Sequence, residues 1–289
     1  MIPLDFITEW RGRAPWITDA HVEQDLIISR AVVEMFRRDD VRRAFAFRGG
    51  TALYKLHLTP PARYSEDIDL VQVAPGPIGG TLDAIRSALD PWLGLPKRNT
   101  AEGGVKLIYR FSSEGPPPLP MRLKVEVNTR EHLSVLGYEE RQFEVDSRWF
   151  SGSASVQTYP LDELLGTKLR ALYQRRKGRD LFDVWFAGRT GRADPARVVE
   201  CFARYLEHEG RAVSRAEFEA NLEEKLADRA FAADIGPLIA VGVEWDFDAA
   251  AAYVRNQIVA RLPGEPWKGG QSPSIGASHG RAKAKKKRE

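Results

Sequence analysis

Between residues 21 and 38 the apolar positions recur at helical spacing. Val22, Leu26, Ile27, Ala31, Val32, Met35 and Phe36 share one stripe, which predicts an amphipathic helix whose task is packing. The period then changes. Residues 44–48 (AFAFR) form a short apolar run stopped by Gly49 and Gly50, and residues 51–58 (TALYKLHL) have the composition of a helix ended by Pro60 and Pro61. Residues 68–73 (IDLVQV) alternate as a strand does, with Asp67 and Asp69 on one face and Ile68 and Leu70 on the other. After a helix at 82–89, further strands are predicted at 105–111, 122–128 and 142–145, with a proline-rich turn at 116–120 between the first two. From Tyr159 onward the pattern is helical, at 161–174, 179–187, 195–208, 215–227 and 246–262. The order predicts an α+β chain: an α/β lobe with a mixed sheet over residues 1–158, then a helical lobe over 159–262.

With 43% of its residues hydrophobic the chain can bury one large core or two modest ones, and a length of 289 residues favours two lobes. The net charge of +3 points to nucleic acid only until its location is considered. Residues 281–289 carry six basic groups and one acidic group, so the rest of the chain is slightly negative. Residues 263–280 are rich in Gly, Ser and Pro, and the segment 263–289 is therefore read as a disordered basic tail. Such a tail could add affinity for RNA or DNA by counterion release, or simply aid solubility. The single cysteine, Cys201, excludes an internal disulfide and a cysteine-based zinc cluster, and reads as a filler in the core. No apolar run reaches the length of a membrane span, and the start lacks a basic leader with an apolar signal core, so a cytoplasmic location is expected.

The candidate chemistry lies between Phe47 and Val71. A Gly49-Gly50-Thr51 turn opening a helix presents backbone N–H groups and the positive end of the helix dipole, which suits a phosphate. Taken alone, a structural glycine turn is the commoner explanation. Asp67 and Asp69 at i and i+2 on a strand point the same way, and two unpaired carboxylates would repel by about 4 kcal/mol at a separation of about 4 Å. A divalent cation with oxygen ligands, Mg²⁺ above all, would neutralise them and would also bind substrate phosphates. For an isolated pair, an edge strand with two solvated acids is the commoner explanation. Its combination with the upstream glycine turn favours the metal. Glu126 in LKVEV, alternating with Val125 and Val127, is the natural third carboxylate if two ions are held; a solvent-side face is the alternative.

Taken together, GGTAL followed by Arg63, Ser65, Asp67, Ile68, Asp69 and Leu70 resembles the AbiEii/AbiGii-type nucleotidyltransferase toxins, a family of the DNA polymerase β-like superfamily that includes the mycobacterial MenT toxins. The later segment YPLDELLGTKLRALYQRRKGRDLFDVW, with Lys168, Lys177, Arg179, Asp180 and Asp183, is similar to the lysine helix and Arg-Asp segment of that family. The resemblance covers residues 20–190. It implies a polymerase β-like nucleotidyltransferase lobe followed by a helical lobe, a nucleoside triphosphate as substrate, and Mg²⁺ on Asp67 and Asp69. Gly49, Gly50 and Thr51 would cradle phosphates beside Ser65, Lys168 would contact the triphosphate, and Asp180 would orient Lys168 or the acceptor. Thr51 stands where the wider superfamily has serine, and the 15 residues between Thr51 and Asp67 imply a longer connection than usual.

The resemblance further implies a growth-inhibiting toxin of a toxin–antitoxin or phage-defence pair, with an antitoxin protein as partner and the 3′ end of tRNA as acceptor. Arg63, Lys106, Arg122, Lys124, Arg175, Arg176, Lys177 and Arg179 could provide a basic surface for it. Two other readings stay open. The acceptor could be a protein, a small molecule or a free nucleotide; or the chain could be a nucleotide-binding module without catalysis.

Overall fold

The computed structural model describes residues 2–101 and 103–269; the basic end of the expected tail, from residue 270 on, lies outside the described residues. A short helix α1 (Leu4–Trp10) precedes α2 (Asp19–Phe36), whose N-cap Thr18 side chain accepts from the His21 N–H. Every residue of the predicted stripe on α2 is buried, but so are Ile28, Val33, Glu23, Gln24, Asp25 and Ser29. The helix is enclosed, not amphipathic, because sheet and helices pack around it. Helix α3 (Asp39–Ala44) is invisible to the apolar pattern, since only Val41 of its six residues is buried.

Strand β1 (Phe45–Arg48) runs straight into helix α4 (Gly49–Ala52), which continues as a π-helical turn over Leu53–His57. Then come β2 (Asp67–Gln72), helix α5 (Gly79–Leu93), and strands β3 (Lys97–Ala101), β4 (Gly104–Ser112), β5 (Pro120–Asn128), β6 (Glu139–Asp146) and β7 (Ser151–Thr158). They form one seven-stranded sheet in the order β3-β4-β5-β2-β1-β7-β6. The pairings β2–β5 and β1–β7 are parallel and the others antiparallel, so the sheet is mixed. The hydrophobic pattern misses β3 and β7. In β3 all five residues are exposed, and β7 (SGSASVQT) turns mainly small side chains inward, so neither shows an apolar alternation.

The two sheet faces differ, and the difference places the site. Phe45, Phe47, Ile68, Leu70, Leu107, Leu123, Val125 and Val127 pack into one core with α2 and α5. On the opposite face, Ala46 of β1 and Val71 of β2 enter a second core with the later helices. Toward β5 and β4 that same face becomes polar, through Asp67, Asp69, Lys124, Glu126 and Lys106, in keeping with the two-residue repeat of a strand.

The helices that cover this face are α6 (Leu161–Gln174), α7 (Gly178–Arg189), α8 (Pro195–His208), α9 (Arg215–Leu226), α10 (Arg229–Ala233) and α11 (Phe247–Tyr253). Helices α6 and α8 have the bounds that the pattern predicts. The last predicted helix is instead α11, a π turn over Val254–Ile258 and a 3₁₀ turn over Val259–Arg261. Residues 263–269 have no helix or strand, yet they are attached: Arg215 N–H donates to the Pro263 carbonyl (2.8 Å) and Trp267 N–H to the Glu219 carboxylate (2.7 Å). Among the described residues, no helix is long and apolar enough to cross a membrane.

Leu165 and Leu169 of α6 lie in the same core as Ala46, Leu53 and Val71, so apolar burial fixes the helices on the sheet. Leu169→Ala is expected to cost about 2–5 kcal/mol, read as a lower urea midpoint with little change in the slope.

Candidate active site

The passage from β1 to α4 is made possible by two glycines. Gly49 has φ +80°, and a Cβ there would collide with the Asp69 carboxylate. At Gly50 a Cβ would come within 2.5 Å of Arg63 Nη2 and 2.9 Å of Ser65 Oγ. The missing side chains thus let Asp69, Arg63 and Ser65 close on the start of the helix. Thr51 does not face outward as the phosphate cradle would require. It is 2% exposed, its hydroxyl donates to the Asp67 carbonyl (2.5 Å), and it lies 2.9 Å from Ser65 Oγ. Its task is to pin the segment before β2 to the helix. Gly50 and Ser65 line the cleft beside the carboxylates, while Thr51 does not.

Strand register brings the carboxylates together. Asp67 is paired with Lys124 and Asp69 with Glu126 across the parallel β2–β5 contact, and Arg48 stands opposite Asp69 on β1. Lys124 Nζ bridges Asp67 Oδ2 (2.7 Å) and Glu126 Oε1 (2.6 Å), and Lys106 Nζ reaches Glu126 Oε2 (3.0 Å). Burial raises the Asp67 carboxyl to about 6 despite the opposing Lys124 ammonium. Burial also raises Asp69, with Arg48 pulling the other way and Glu126 adding to the rise. Glu126 behaves oppositely: burial would raise it, but Lys124 and Lys106 prevail and hold it low.

The aspartates are therefore a same-face pair of buried oxygen donors whose charge burial disfavours, a donor set that fits a hard divalent cation. Glu126 is already neutralised by two lysines. Among the described residues no three acidic, His or Cys side chains gather as a metal site, and Glu126, the third carboxylate expected, lines the same cleft as Asp67 and Asp69 with its charge met by Lys124 and Lys106.

The opposite wall comes from the helices. Lys168 of α6 is 7% exposed, with Nζ 2.8 Å from Asp183 Oδ2 and 3.5 Å from Asp180 Oδ1. Asp180, expected to orient Lys168 or the acceptor, is gripped chiefly by Arg175, through Nε (2.7 Å) and Nη2 (2.9 Å). The nearer partner is Asp183, one turn further along α7. Its fully buried carboxylate also takes Arg63 Nε (2.6 Å) and Nη2 (2.7 Å) and the Tyr54 hydroxyl (2.9 Å). Burial would raise the Asp183 carboxyl, but Arg63 and Lys168 hold it well below the ordinary range. The i, i+3 spacing of Asp180 and Asp183 was the available signal for this role, since both then share one helix face.

Most of the expected basic surface turns out to be internally paired. Arg63 is buried on Asp183, Lys106 and Lys124 serve the carboxylates, Arg175 serves Asp180, Arg176 meets Glu224 and Asp228, and Lys177 meets Asp234. Arg122 and Arg179 are left. Arg179 joins Gly50, Ser65, Asp67, Asp69 and Lys168 around a cleft of about 360 Å³.

A strand carrying two same-face carboxylates, a glycine-opened helix beside it and a lysine facing them across a cleft define a nucleotidyl-transfer fold. The family model for the nucleotidyl transferase AbiEii toxin of type IV toxin–antitoxin systems matches residues 30–253, so the chain belongs to that family and is a nucleotidyltransferase. No curated protein matches the sequence. Among solved structures it is similar to MenT4, a nucleotidyltransferase toxin from Mycobacterium tuberculosis, with 18% identity, 91% of each chain covered and a TM-score of 0.63. It is also similar to JHP933 from Helicobacter pylori, with 16% identity, 82% of this chain and 90% of that chain covered, and a TM-score of 0.49. The likeness of fold rests on the first.

Because Asp183 is depressed in the folded state, its stabilisation is complete above the ordinary carboxylate value of about 4 and is lost as pH falls further. Asp183→Asn should cost about 3–5 kcal/mol at pH 7 by leaving Arg63 buried and uncompensated. Denaturant midpoints measured from pH 7 down to pH 3 should show the gap to wild type shrinking only below about pH 4.

Proposed function

We propose that the chain transfers a nucleoside monophosphate from a nucleoside triphosphate to the 3′-terminal hydroxyl of tRNA, and that this modification stops translation and growth until an antitoxin intervenes. The observation that carries the reading is the buried same-face pair Asp67 and Asp69, sharing a cleft with Lys168, Gly50 and Ser65. Asp67 and Asp69 would hold Mg²⁺, which when bound supplies charge neutralisation at the transferring phosphate.

The remaining work falls to the chain itself. Gly50 and Ser65 line the cleft beside the aspartates, at the opening turn of the helix, where backbone N–H groups suit phosphate oxygens. Lys168, held at 2.8 Å by Asp183, presents an ammonium of fixed position to the triphosphate. Arg179, free of an internal carboxylate partner among the described residues, adds a second positive charge for the departing pyrophosphate. As the acceptor oxygen bonds to the α-phosphorus it loses its hydroxyl proton to solvent, and the α–β anhydride breaks with its bonding pair leaving on pyrophosphate. Catalysis of this kind is positioning and electrostatic stabilisation, for which the ion-paired walls of the cleft are suited. Family membership in a type IV toxin–antitoxin system supports the toxin role and an antitoxin partner.

The test is transfer of label from each of the four α-labelled triphosphates to total tRNA in the presence of Mg²⁺, followed by RNase or protease. Label lost to RNase and not to protease is expected. Asp67→Asn and Asp69→Asn should each reduce transfer about a hundred- to a thousandfold or more while the melting temperature is retained. Label that survives RNase and is lost to protease would move the acceptor to a protein; near-normal transfer by both variants would overturn the site.

A further inference from the structure

The polar sheet face does not end at the cleft. Two residues beyond Lys124, away from Glu126, lies Arg122, and its cross-strand partner on β4 is Arg110. Two exposed guanidinium groups thus stand directly opposite one another on one face, an arrangement that by itself destabilises a sheet. Further up the same strands, the like-charged Lys106 and Lys124 are compensated by Glu126 and Asp67. Arg110 and Arg122 have no such compensation among the described residues. Their charge is left for something outside the protein.

Beside them runs a groove of about 480 Å³. Its floor includes a stacked pair, His21 on Tyr64, with ring centroids 4.1 Å apart and planes 12° from parallel. Burial lowers the His21 pKa, which favours the neutral ring, and His21 is the more exposed of the two. Glu66 is the one acidic side chain lining the groove. His21, Tyr64 and Glu66 also line the carboxylate cleft, so groove and cleft open into each other.

We propose that this groove receives the last nucleotides of a single-stranded nucleic acid, with phosphates on Arg110 and Arg122 and a base against the His21–Tyr64 stack, so that the terminal hydroxyl is delivered to Asp67 and Asp69. This rests on the nucleotidyl-transfer reading of the cleft. Paired arginines without internal carboxylates match a phosphodiester backbone, and an aromatic plate beside them takes the face of an unpaired base but not the edge of a duplex. An enzyme acting on a terminal hydroxyl must hold the nucleotides next to it, and this groove adjoins the cleft where the hydroxyl is needed.

The test compares wild type with Arg110→Ala/Arg122→Ala and with His21→Ala. A short fluorescent single-stranded RNA with a free 3′ hydroxyl is titrated by anisotropy at several salt concentrations, and transfer kinetics are measured with the same RNA. Removing the two charges should relieve repulsion, so the double variant should keep its melting temperature. Its plot of log affinity against log salt should be shallower by about 1.4, the value for two phosphate contacts to a single strand. His21→Ala should weaken binding about tenfold without changing that slope. In transfer, KM for RNA should rise while kcat stays close to wild type and binding of the triphosphate alone is unchanged.

An unchanged slope and KM in the double variant would overturn the groove while leaving the catalytic reading intact. Equal loss of affinity for a duplex RNA of the same length would also overturn it, because the stack could not then be reading an unpaired base. If wild type transfers nothing but the arginine-dependent slope is present, the groove stands and the catalytic reading falls.

Discussion

One buried carboxylate, that of Asp183, joins three parts of the chain that are far apart in sequence. It receives the Arg63 guanidinium from the segment leading into β2, the Lys168 ammonium from α6 and the Tyr54 hydroxyl from the turn after α4. A charge so fully removed from water is tolerable only with its hydrogen-bonding capacity filled by opposite charge. The arrangement therefore admits little variation. Fixing Arg63 fixes the approach to Ser65 and the aspartates; fixing Lys168 sets the opposite wall. The apolar core that seats α6 on β1 and β2 provides the surroundings in which this clasp can form.

The aspartates illustrate the opposite balance. Asp67 and Asp69 sit where strand alternation puts them, on the face that is apolar at Ala46 and Val71 but polar toward β5. Burial disfavours their charge, and the bridging Lys124 relieves Asp67 only in part. Asp69 can come close to the helix start only because position 49 has no side chain. A structural ion pair would have been brought to neutrality as Asp183 is. Burial leaves the charge of this pair disfavoured, which is the state expected of a site proposed to take its cation together with the substrate.

Much of this was legible in the chain. The stripe on α2, the alternation of IDLVQV and the bounds of α6 and α8 all follow from periodicity, because burial there is decided by apolar side chains. The register that sets Glu126 beside Asp69 agrees with its alternation with Val125 and Val127. Less legible was the direction in which polar groups turn. Thr51 reads as a phosphate ligand but spends its hydroxyl on the backbone of Asp67, and Arg63 reads as surface charge but is buried. Pattern alone does not distinguish a solvated arginine from one folded onto a distant carboxylate, since the partners Arg63 and Asp183 are 120 residues apart. Strand β7 escaped notice because its inward positions are small, and Arg110 because its significance depends on what lies across the strand pair.

In the proposed reaction the triphosphate lies between the glycine-opened helix and Lys168, against the aspartate pair. A crystal structure with a non-hydrolysable triphosphate analogue and a divalent cation measures this directly. The cation is expected on Asp67 and Asp69, with phosphate oxygens at Gly50, Ser65 and Lys168. That placement would be contradicted by a nucleotide lodged in the neighbouring cavity of about 480 Å³ beside Trp10, Trp16 and Lys55, with Asp67 and Asp69 still bare.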